Sequence, residues 1–229
     1  MAQEFFEFLK EHYFIPFYFV TWVIAVFSYR KYFDTVLKYL PVLIAYTFFT
    51  ELLGYFIKYH ENFQFFSDER YNWHNVIIYN IYQVVVFSFF YWVYWKTVVT
   101  AKHKTWIKYG AIITFVAYLV SLFFQDPFHT NLYYADLVGS LVLLFAIYIY
   151  AKEKRADKSA YPLRQNLLFW ISLGLAIFYL FFPFIFLIGY LKYEIWAQYN
   201  LQTILVILIV LMYALFSIGF ILGKRRAFR

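Results

Sequence analysis

Two acidic residues stand inside long apolar stretches of this sequence and are the first candidates for chemistry. Glu51 lies in the middle of the segment YTFFTELLGYFIK, and Asp136 lies in the apolar segment that follows Pro127. A carboxylate inside a membrane-spanning segment is costly, so it is usually paired, turned toward a polar interior, or used to bind ions or protons. We therefore treat both carboxylates as candidate ligand-binding groups.

Amide and hydroxyl side chains accompany these carboxylates. Asn80 and Gln83 are three residues apart, so they share one face of a predicted helix. Thr47 and Tyr55 lie four residues on either side of the first carboxylate, on its helical face. Such groups orient small polar solutes and cations in binding sites. The predicted ligand-binding residues are Thr47, Glu51, Tyr55, Asn80, Gln83, Asp136 and Gln202.

Each candidate also has a purely structural interpretation. Asp136 lies near a predicted helix N-terminus, where the helix dipole favours a carboxylate. Glu51 could be satisfied by Lys58, whose side chain can snorkel two turns away, or by tyrosine hydroxyls. The side-chain amides are equally suited to hydrogen bonds between helices. The sequence leaves these alternatives open.

The chain carries no strong signature of a metal or cofactor site. It has no cysteine, which excludes disulfides and thiol chemistry. None of its five histidines forms the HxxxH or HExxH spacing of helical zinc sites. Only their predicted depth in the membrane would support a metal site formed by His74, His129, Glu51 and Asp136. We predict no cofactor and favour a protein that is not an enzyme.

The elements that must position these residues are membrane helices. Hydrophobic residues make up 64% of the 229 residues and charged residues only 14%, whereas a soluble domain carries about 25% charged residues. Apolar runs of about 20 residues, the length that crosses a bilayer, recur along the chain. We predict an all-α polytopic membrane protein with one seven-helix transmembrane domain over residues 1–229. The predicted spans are about 13–29, 39–58, 73–95, 105–124, 131–151, 165–190 and 195–222.

The basic residues predict the orientation of these spans. Of the 20 Lys and Arg residues, only Lys10, Lys58, Arg70 and Lys192 lie on one side of the predicted membrane. All the others lie in the 1–2, 3–4 and 5–6 connections and the C-terminal tail. The positive-inside rule therefore places the N-terminus outside and the C-terminus in the cytoplasm of a plasma (inner) membrane. The net charge of +7 then faces anionic membrane lipids rather than nucleic acid.

Two short motifs carry a resemblance to other proteins. With TELLGY in the second span and YNIYQ in the third, the chain resembles bacterial seven-helix membrane proteins rich in Phe and Tyr, and this resemblance implies no activity. Better-known seven-helix groups differ. The last span lacks the lysine of microbial rhodopsins and the HxxxH of ceramidase-like and adiponectin-receptor-like hydrolases. Seven spans also permit the 3+1+3 arrangement of some transporters.

Three functions fit these predictions. In the first, the candidate residues form an outward-facing polar pocket that binds or transports a small polar or cationic solute. In the second, the bundle is a sensor or receptor that signals to a separate cytoplasmic partner. In the third, it is an intramembrane metal-dependent hydrolase. We favour the first, because the candidate carboxylates and amides lie in the outer halves of their predicted spans.

Overall fold

The computed structural model describes residues 14–68, 71, 74–156 and 162–225. The chain is 82% helical and has no strand among these residues, which confirms the all-α prediction. Lys10 and Arg70, which entered the orientation argument, lie outside the described residues. The helices are α1 (Ile15–Phe27), α2 (Leu40–Tyr59), α3 (Val76–Thr97), α4 (Ala101–Ser121), α5 (Tyr133–Ala156), α6 (Leu167–Leu191), α7 (Tyr193–Gln198) and α8 (Leu201–Leu222).

Among the described residues, five helices are long and apolar enough to cross a membrane. They are α2 with its preceding turn, α3, α5, α6 and α8. Helix α1 is apolar but has only 13 residues, and α4 carries three lysines in its first two turns. Large apolar side chains lie exposed, among them Phe123 at 85% and Phe124 at 80%, as expected where a surface meets lipid rather than water. These features indicate a membrane protein, while the count of seven spans stays a prediction.

The predicted seventh span, 195–222, corresponds to two helices. Helix α7 ends at Gln198, and α8 begins at Leu201. Between them Asn200 has φ 47° and ψ 48°, a left-handed conformation that asparagine tolerates better than most residues. The 22 residues of α8 extend about 33 Å, which is enough to cross a bilayer without α7.

The chain divides into two compact units. Unit 1 is drawn from Met1–Phe48, Ser159–Phe178 and Asn200–Arg229, and unit 2 from Phe49–Lys158 and Tyr179–Tyr199. In unit 1, α1 packs against α8. The Tyr18 and Tyr213 rings meet edge to face with centroids 4.6 Å apart. The hydroxyls of Thr21 and Ser217 hydrogen bond at 3.0 Å. Polar and aromatic contacts thus join the first and last described helices.

A lysine from the segment after α1 caps the end of α8. The Lys31 ammonium donates to the carbonyls of Phe220 at 2.9 Å and Ile221 at 2.8 Å. The last carbonyls of a helix lack partners within the helix, and the dipole favours a cation there. Close by in the chain, Arg225 pairs with Asp34 at 2.9 Å. The end of α8 is therefore held by residues that follow α1.

Glycines permit the close approach of α6 and α8 within unit 1. A Cβ atom at Gly219 would lie 2.7 Å from the Trp170 Cβ and 2.9 Å from a Leu167 methyl group. On the facing helix, a Cβ at Gly174 would lie 3.0 Å from the Phe216 ring. Small residues of this kind let membrane helices pack closely.

Unit 2 is centred on three helices, α3, α4 and α5, which pack against one another. Phe87, Tyr94 and Leu143 are fully buried among them. At one end, the Glu153 carboxylate accepts hydrogen bonds from the backbone N–H groups of Val99 at 2.8 Å and Thr100 at 3.2 Å. This carboxylate of α5 therefore caps the start of α4.

We predict that Gly219→Val destabilises the protein by about 1–3 kcal/mol, because the added methyl groups would collide with Trp170 and Leu167. For a chain of this size the melting temperature should fall by about 2–10 °C, measured by thermal unfolding in detergent. Ile221→Phe is the control, since it adds bulk where the side chain is 59% exposed. Equal melting temperatures for Gly219→Val and wild type would contradict this packing.

Candidate functional site

Both carboxylates singled out by the sequence lie in unit 2, and each accepts a hydrogen bond from a tyrosine hydroxyl. Asp136 on α5 is 3% exposed and accepts from Tyr118 on α4. Glu51 on α2 accepts from Tyr79 on α3 at 3.0 Å. A tyrosine hydroxyl is neutral at ordinary pH, so the bond from Tyr118 does not supply the opposite charge that the buried Asp136 carboxylate would need.

The position of Asp136 combines the two interpretations left open by the sequence. It lies in the first turn of α5, where the helix dipole partly offsets its charge. Its carboxylate nevertheless points to a side chain of another helix rather than to the backbone of its own turn. One turn later, Ser140 donates to the Asp136 carbonyl at 2.6 Å. The residue is therefore both near a helix start and part of a contact between helices.

A second set of hydrogen bonds surrounds this carboxylate and joins three helices. The Tyr91 hydroxyl on α3 donates to the carbonyl of Gly139 on α5 at 2.8 Å and lies 2.9 Å from the Thr114 hydroxyl on α4. The Phe87 ring lies against Gly139, where a Cβ would be 2.6 Å from a ring carbon. Glycine is therefore required for α3 and α5 to approach at this level.

Asn80 is occupied by the connection between α4 and α5. Its amide nitrogen donates to the carbonyls of Pro127 at 2.8 Å and Thr130 at 3.1 Å. Its oxygen accepts from the Leu132 N–H at 3.1 Å, just before α5 begins. These bonds favour the structural interpretation of Asn80. They also fix the start of the helix that carries Asp136.

Gln83, three residues further along α3, contacts a residue of α6. Its side-chain oxygen accepts a hydrogen bond from the Tyr179 hydroxyl at 3.4 Å. The Phe87 ring lies beside both Tyr179, at 5.5 Å between centroids, and Tyr118, at 6.4 Å. Tyr179 and Tyr118 thus lie beside one aromatic ring inside unit 2, and Tyr179 also contacts Gln83.

Glu51 accepts a hydrogen bond from a tyrosine of the next helix. The Tyr79 hydroxyl reaches it across Gly54, where a Cβ would collide with that hydroxyl. The Lys58 ammonium lies over the Tyr59 ring at 5.2 Å from its centroid. Of the two structural partners proposed from the sequence, the described contact is the one with a tyrosine.

Two further tyrosines, Tyr82 and Tyr179, are electrostatic neighbours of the groups at these carboxylates. Tyr82 is within electrostatic range of both Tyr79 and Tyr179. Tyr179 is in turn within range of Asp136. Neighbouring tyrosines in unit 2 therefore connect the two carboxylates. Tyr79 is next to Glu51, Tyr179 is close to Asp136, and Tyr82 is near both tyrosines.

The remaining predicted ligand-binding residues have other surroundings. Thr47 lies in unit 1 and donates to the carbonyl of Leu43 in its own helix at 3.0 Å. Gln202 is an exposed residue in the first turn of α8, also in unit 1. Tyr55 lies in unit 2, is half-buried, and packs on Tyr59 with ring centroids 4.9 Å apart. A ligand-binding role for these three residues stays a prediction.

Two histidines noted in the sequence lie together beside α3. The rings of His74 and His129 are 5.5 Å apart, and Tyr71 packs on His129 at 4.3 Å. A hydrogen bond from His129 at 2.6 Å lowers the pKa of Asp126. Burial, and then the nearby His129, lower the pKa of His74. Among the described residues no three His, Asp or Glu side chains are arranged to hold a metal ion.

Sequence reasoning proposed tyrosine hydroxyls for Glu51 but did not identify Tyr79, and it proposed no hydroxyl partner for Asp136. Tyr118 and Thr114 are four residues apart on α4, which places them on one helical face, and this spacing was the available signal. Tyr79 and Tyr179 gave no comparable signal, because tyrosine is one of the commonest residues in the chain, with 25 copies.

Comparison with known proteins finds no matching protein family, no similar curated protein and no similar solved structure. Function must therefore be argued from the geometry of unit 2.

We predict that His74 makes the protein sensitive to mild acid. Because the pKa of His74 is lower in the folded chain, the unfolded chain binds more protons around the ordinary histidine pKa of about 6.5. Stability is then fully present above this range and falls as the pH is lowered through it. His74→Asn should flatten the slope of melting temperature against pH between about pH 7 and 5.

His60→Asn provides the matched control, since His60 is an exposed histidine in the connection between α2 and α3. The slope, rather than the melting temperature at one pH, is the quantity to compare. An unchanged slope in His74→Asn, or an equal change in His60→Asn, would contradict the prediction.

Proposed function

We propose that the chain is a multi-pass protein of the plasma (inner) membrane that binds and transports a small polar or cationic solute. The proposal includes one seven-helix domain with its N-terminus outside. Its main support is the carboxylate of Asp136, which is 3% exposed and hydrogen bonded to the neutral Tyr118 hydroxyl. Among the described residues this carboxylate forms no ion pair.

The buried carboxylate of Asp136 requires compensation of its charge. Removing an ionised carboxylate from water costs several kcal/mol unless an opposite charge compensates it. Two states of Asp136 avoid this cost. In one the carboxyl group holds a proton, and in the other it holds a cation. Carboxylates of this kind inside membrane segments mark ion and proton pathways, so we assign the charge-bearing role at the site to Asp136.

The neighbouring hydroxyls supply the remaining groups that such a ligand needs. A tyrosine hydroxyl both donates and accepts, so the Tyr118 oxygen can turn from the carboxylate to a bound cation. Glu51, bonded to Tyr79, is the second charged group of the proposed site. The Gln83 oxygen, which now accepts from Tyr179, is a further neutral ligand. Asn80 is assigned a positioning role, because its amide is occupied by the α4–α5 connection.

The location of these groups supports access from outside. Asp136 lies in the first turn of α5, close to the short connection from α4. The lysines of α4 lie at its N-terminal end, away from the connection to α5. The positive-inside rule assigns this lysine-rich end to the cytoplasm. No contact among the described residues specifically supports the receptor or the hydrolase alternative.

We predict opposite effects of Asp136→Asn on ligand binding and on stability. The purified protein would be heated with Na⁺, K⁺ or a bulky organic cation at constant ionic strength. A small cation at about 100 times its Kd should stabilise the wild type by about 2.7 kcal/mol, or about 5–10 °C in melting temperature. Asp136→Asn should lose this shift. Without the small cation it should melt no lower than the wild type, because the neutral amide needs neither a bound proton nor a bound cation to avoid a buried charge.

Glu194→Gln is the matched control, because it neutralises an exposed carboxylate on α7. It should keep the cation-dependent shift. If Asp136 only satisfies the helix dipole, its replacement lowers stability by about 0.3–1 kcal/mol and leaves the response to cations unchanged. That result would overturn the proposal. Uptake of the stabilising cation into proteoliposomes then separates transport from binding alone.

A further inference from the structure

A groove of about 460 Å³ runs between α3 and α4 of unit 2. It extends from Ser88 to Trp95 on α3 and from Ile107 to Phe115 on α4, which is about 10–12 Å along each helix. Aromatic rings form most of its walls. This groove lies beside the hydroxyl cluster around Asp136, and none of the groups assigned to the proposed solute site needs it.

One end of the groove is basic. Lys108 lines it directly. The ammonium groups of Lys96 and Lys104 lie over the ring of Trp95, at 4.9 Å and 5.9 Å from its centroid, and Trp95 is itself a lining residue. Among the described residues, none of these three lysines forms an ion pair with a carboxylate.

One acidic side chain at the start of α4, Glu153, already has other partners. The Glu153 carboxylate accepts from two backbone N–H groups and contacts His103 Nδ1 at 2.5 Å. The three ammonium groups at the groove therefore lack a neighbouring anion in this part of the described chain. Cation–π contact with Trp95 contributes little for exposed pairs, so these charges stay available to an anionic ligand.

The opposite end of the groove is apolar. Trp92, Ala111 and Phe115 line it, and the exposed side chains of α4 beyond it, such as Leu119 at 61%, are also apolar. The groove therefore has a cationic mouth near the α3–α4 connection and a hydrocarbon-like body that leads away from it. A ligand that matches both ends has a negatively charged head and an apolar tail.

We propose that this groove is a binding site for an anionic phospholipid. The phosphate lies among Lys96, Lys104 and Lys108, and one acyl chain lies along the groove against Trp92 and Phe115. Basic side chains at the cytoplasmic face of a membrane attract anionic lipid, and tryptophan favours the boundary between headgroups and hydrocarbon. The site is separate from the solute site, so it stands if that site fails.

Quenching of tryptophan fluorescence tests the proposal directly, because two lining residues are tryptophans. The full-length protein would be reconstituted in phosphatidylcholine vesicles containing a small fraction of lipid with brominated acyl chains. The brominated lipid would be either phosphatidylglycerol or phosphatidylcholine. We expect phosphatidylglycerol to quench at a lower mole fraction, and we expect the double variant Trp92→Phe/Trp95→Phe to remove most of this difference.

Charge-neutralising variants identify the headgroup site. Single replacement of Lys96, Lys104 or Lys108 by Gln should lower the preference for phosphatidylglycerol by about fivefold, the effect of one basic residue near the membrane surface. Replacing all three should abolish it. The matched control replaces Lys38, Lys152 and Lys224 by Gln, which removes the same charge from the same predicted side of the membrane. This control should keep the preference.

A volume-filling variant tests the apolar part independently of charge. Ala111→Phe places a ring inside the groove and leaves all three lysines intact. It should reduce quenching by brominated phosphatidylglycerol to the level seen with brominated phosphatidylcholine. The proposal is overturned if both lipids quench the wild type equally, or if the control triple variant loses the preference as fully as the groove triple variant. Undiminished quenching in Ala111→Phe would also overturn it.

Discussion

Inside an apolar segment a polar side chain must find its partner within the protein, and Asp136 is the most demanding case in unit 2. Its carboxylate requires Tyr118 from α4, so these two helices must stay in register. Asn80 from α3 holds the connection that leads into α5 and thereby fixes where that helix starts. Gly139, one turn after the carboxylate, admits the Phe87 ring and lets α3 approach. The packing of three helices thus follows from the need to satisfy one acidic group.

Tyrosine is well suited to this arrangement. Its ring contributes apolar contact area, and its hydroxyl carries one donor and an acceptor at the far end. In unit 2 these hydroxyls reach a carboxylate at Asp136, a carboxylate at Glu51, a backbone carbonyl at Gly139 and an amide oxygen at Gln83. A lysine or arginine in place of Tyr118 would cancel the charge on Asp136 permanently. The neutral Tyr118 hydroxyl satisfies this carboxylate without fixing its charge, which leaves proton or cation binding open.

Hydropathy was sufficient to predict an all-α protein with long apolar helices, and the structure has both. Asp136, Gly139, Ser140 and Leu143 share one helical face and are buried. The break at Asn200 could not be predicted, because hydropathy averaged over a segment carries no information on the backbone conformation of a single residue. The partners of Asn80 could not be predicted either, because they are backbone groups of a loop whose path depends on three helices. The tyrosine partners of both carboxylates depend on which helices become neighbours, and residue type alone does not determine that.

The contacts between α1 and α8 have a consequence for how the protein is made. Thr21 and its partner Ser217 are separated by 196 residues, whereas the core of unit 2 is formed from one nearly continuous stretch of chain. A ribosome that synthesises the chain from its N-terminus completes α3, α4 and α5 long before α8 emerges. During this interval the hydroxyl of Thr21 and the ammonium of Lys31 have not yet met the residues that satisfy them. Unit 2 can therefore assemble during synthesis, and unit 1 is completed only when the last helix enters the membrane.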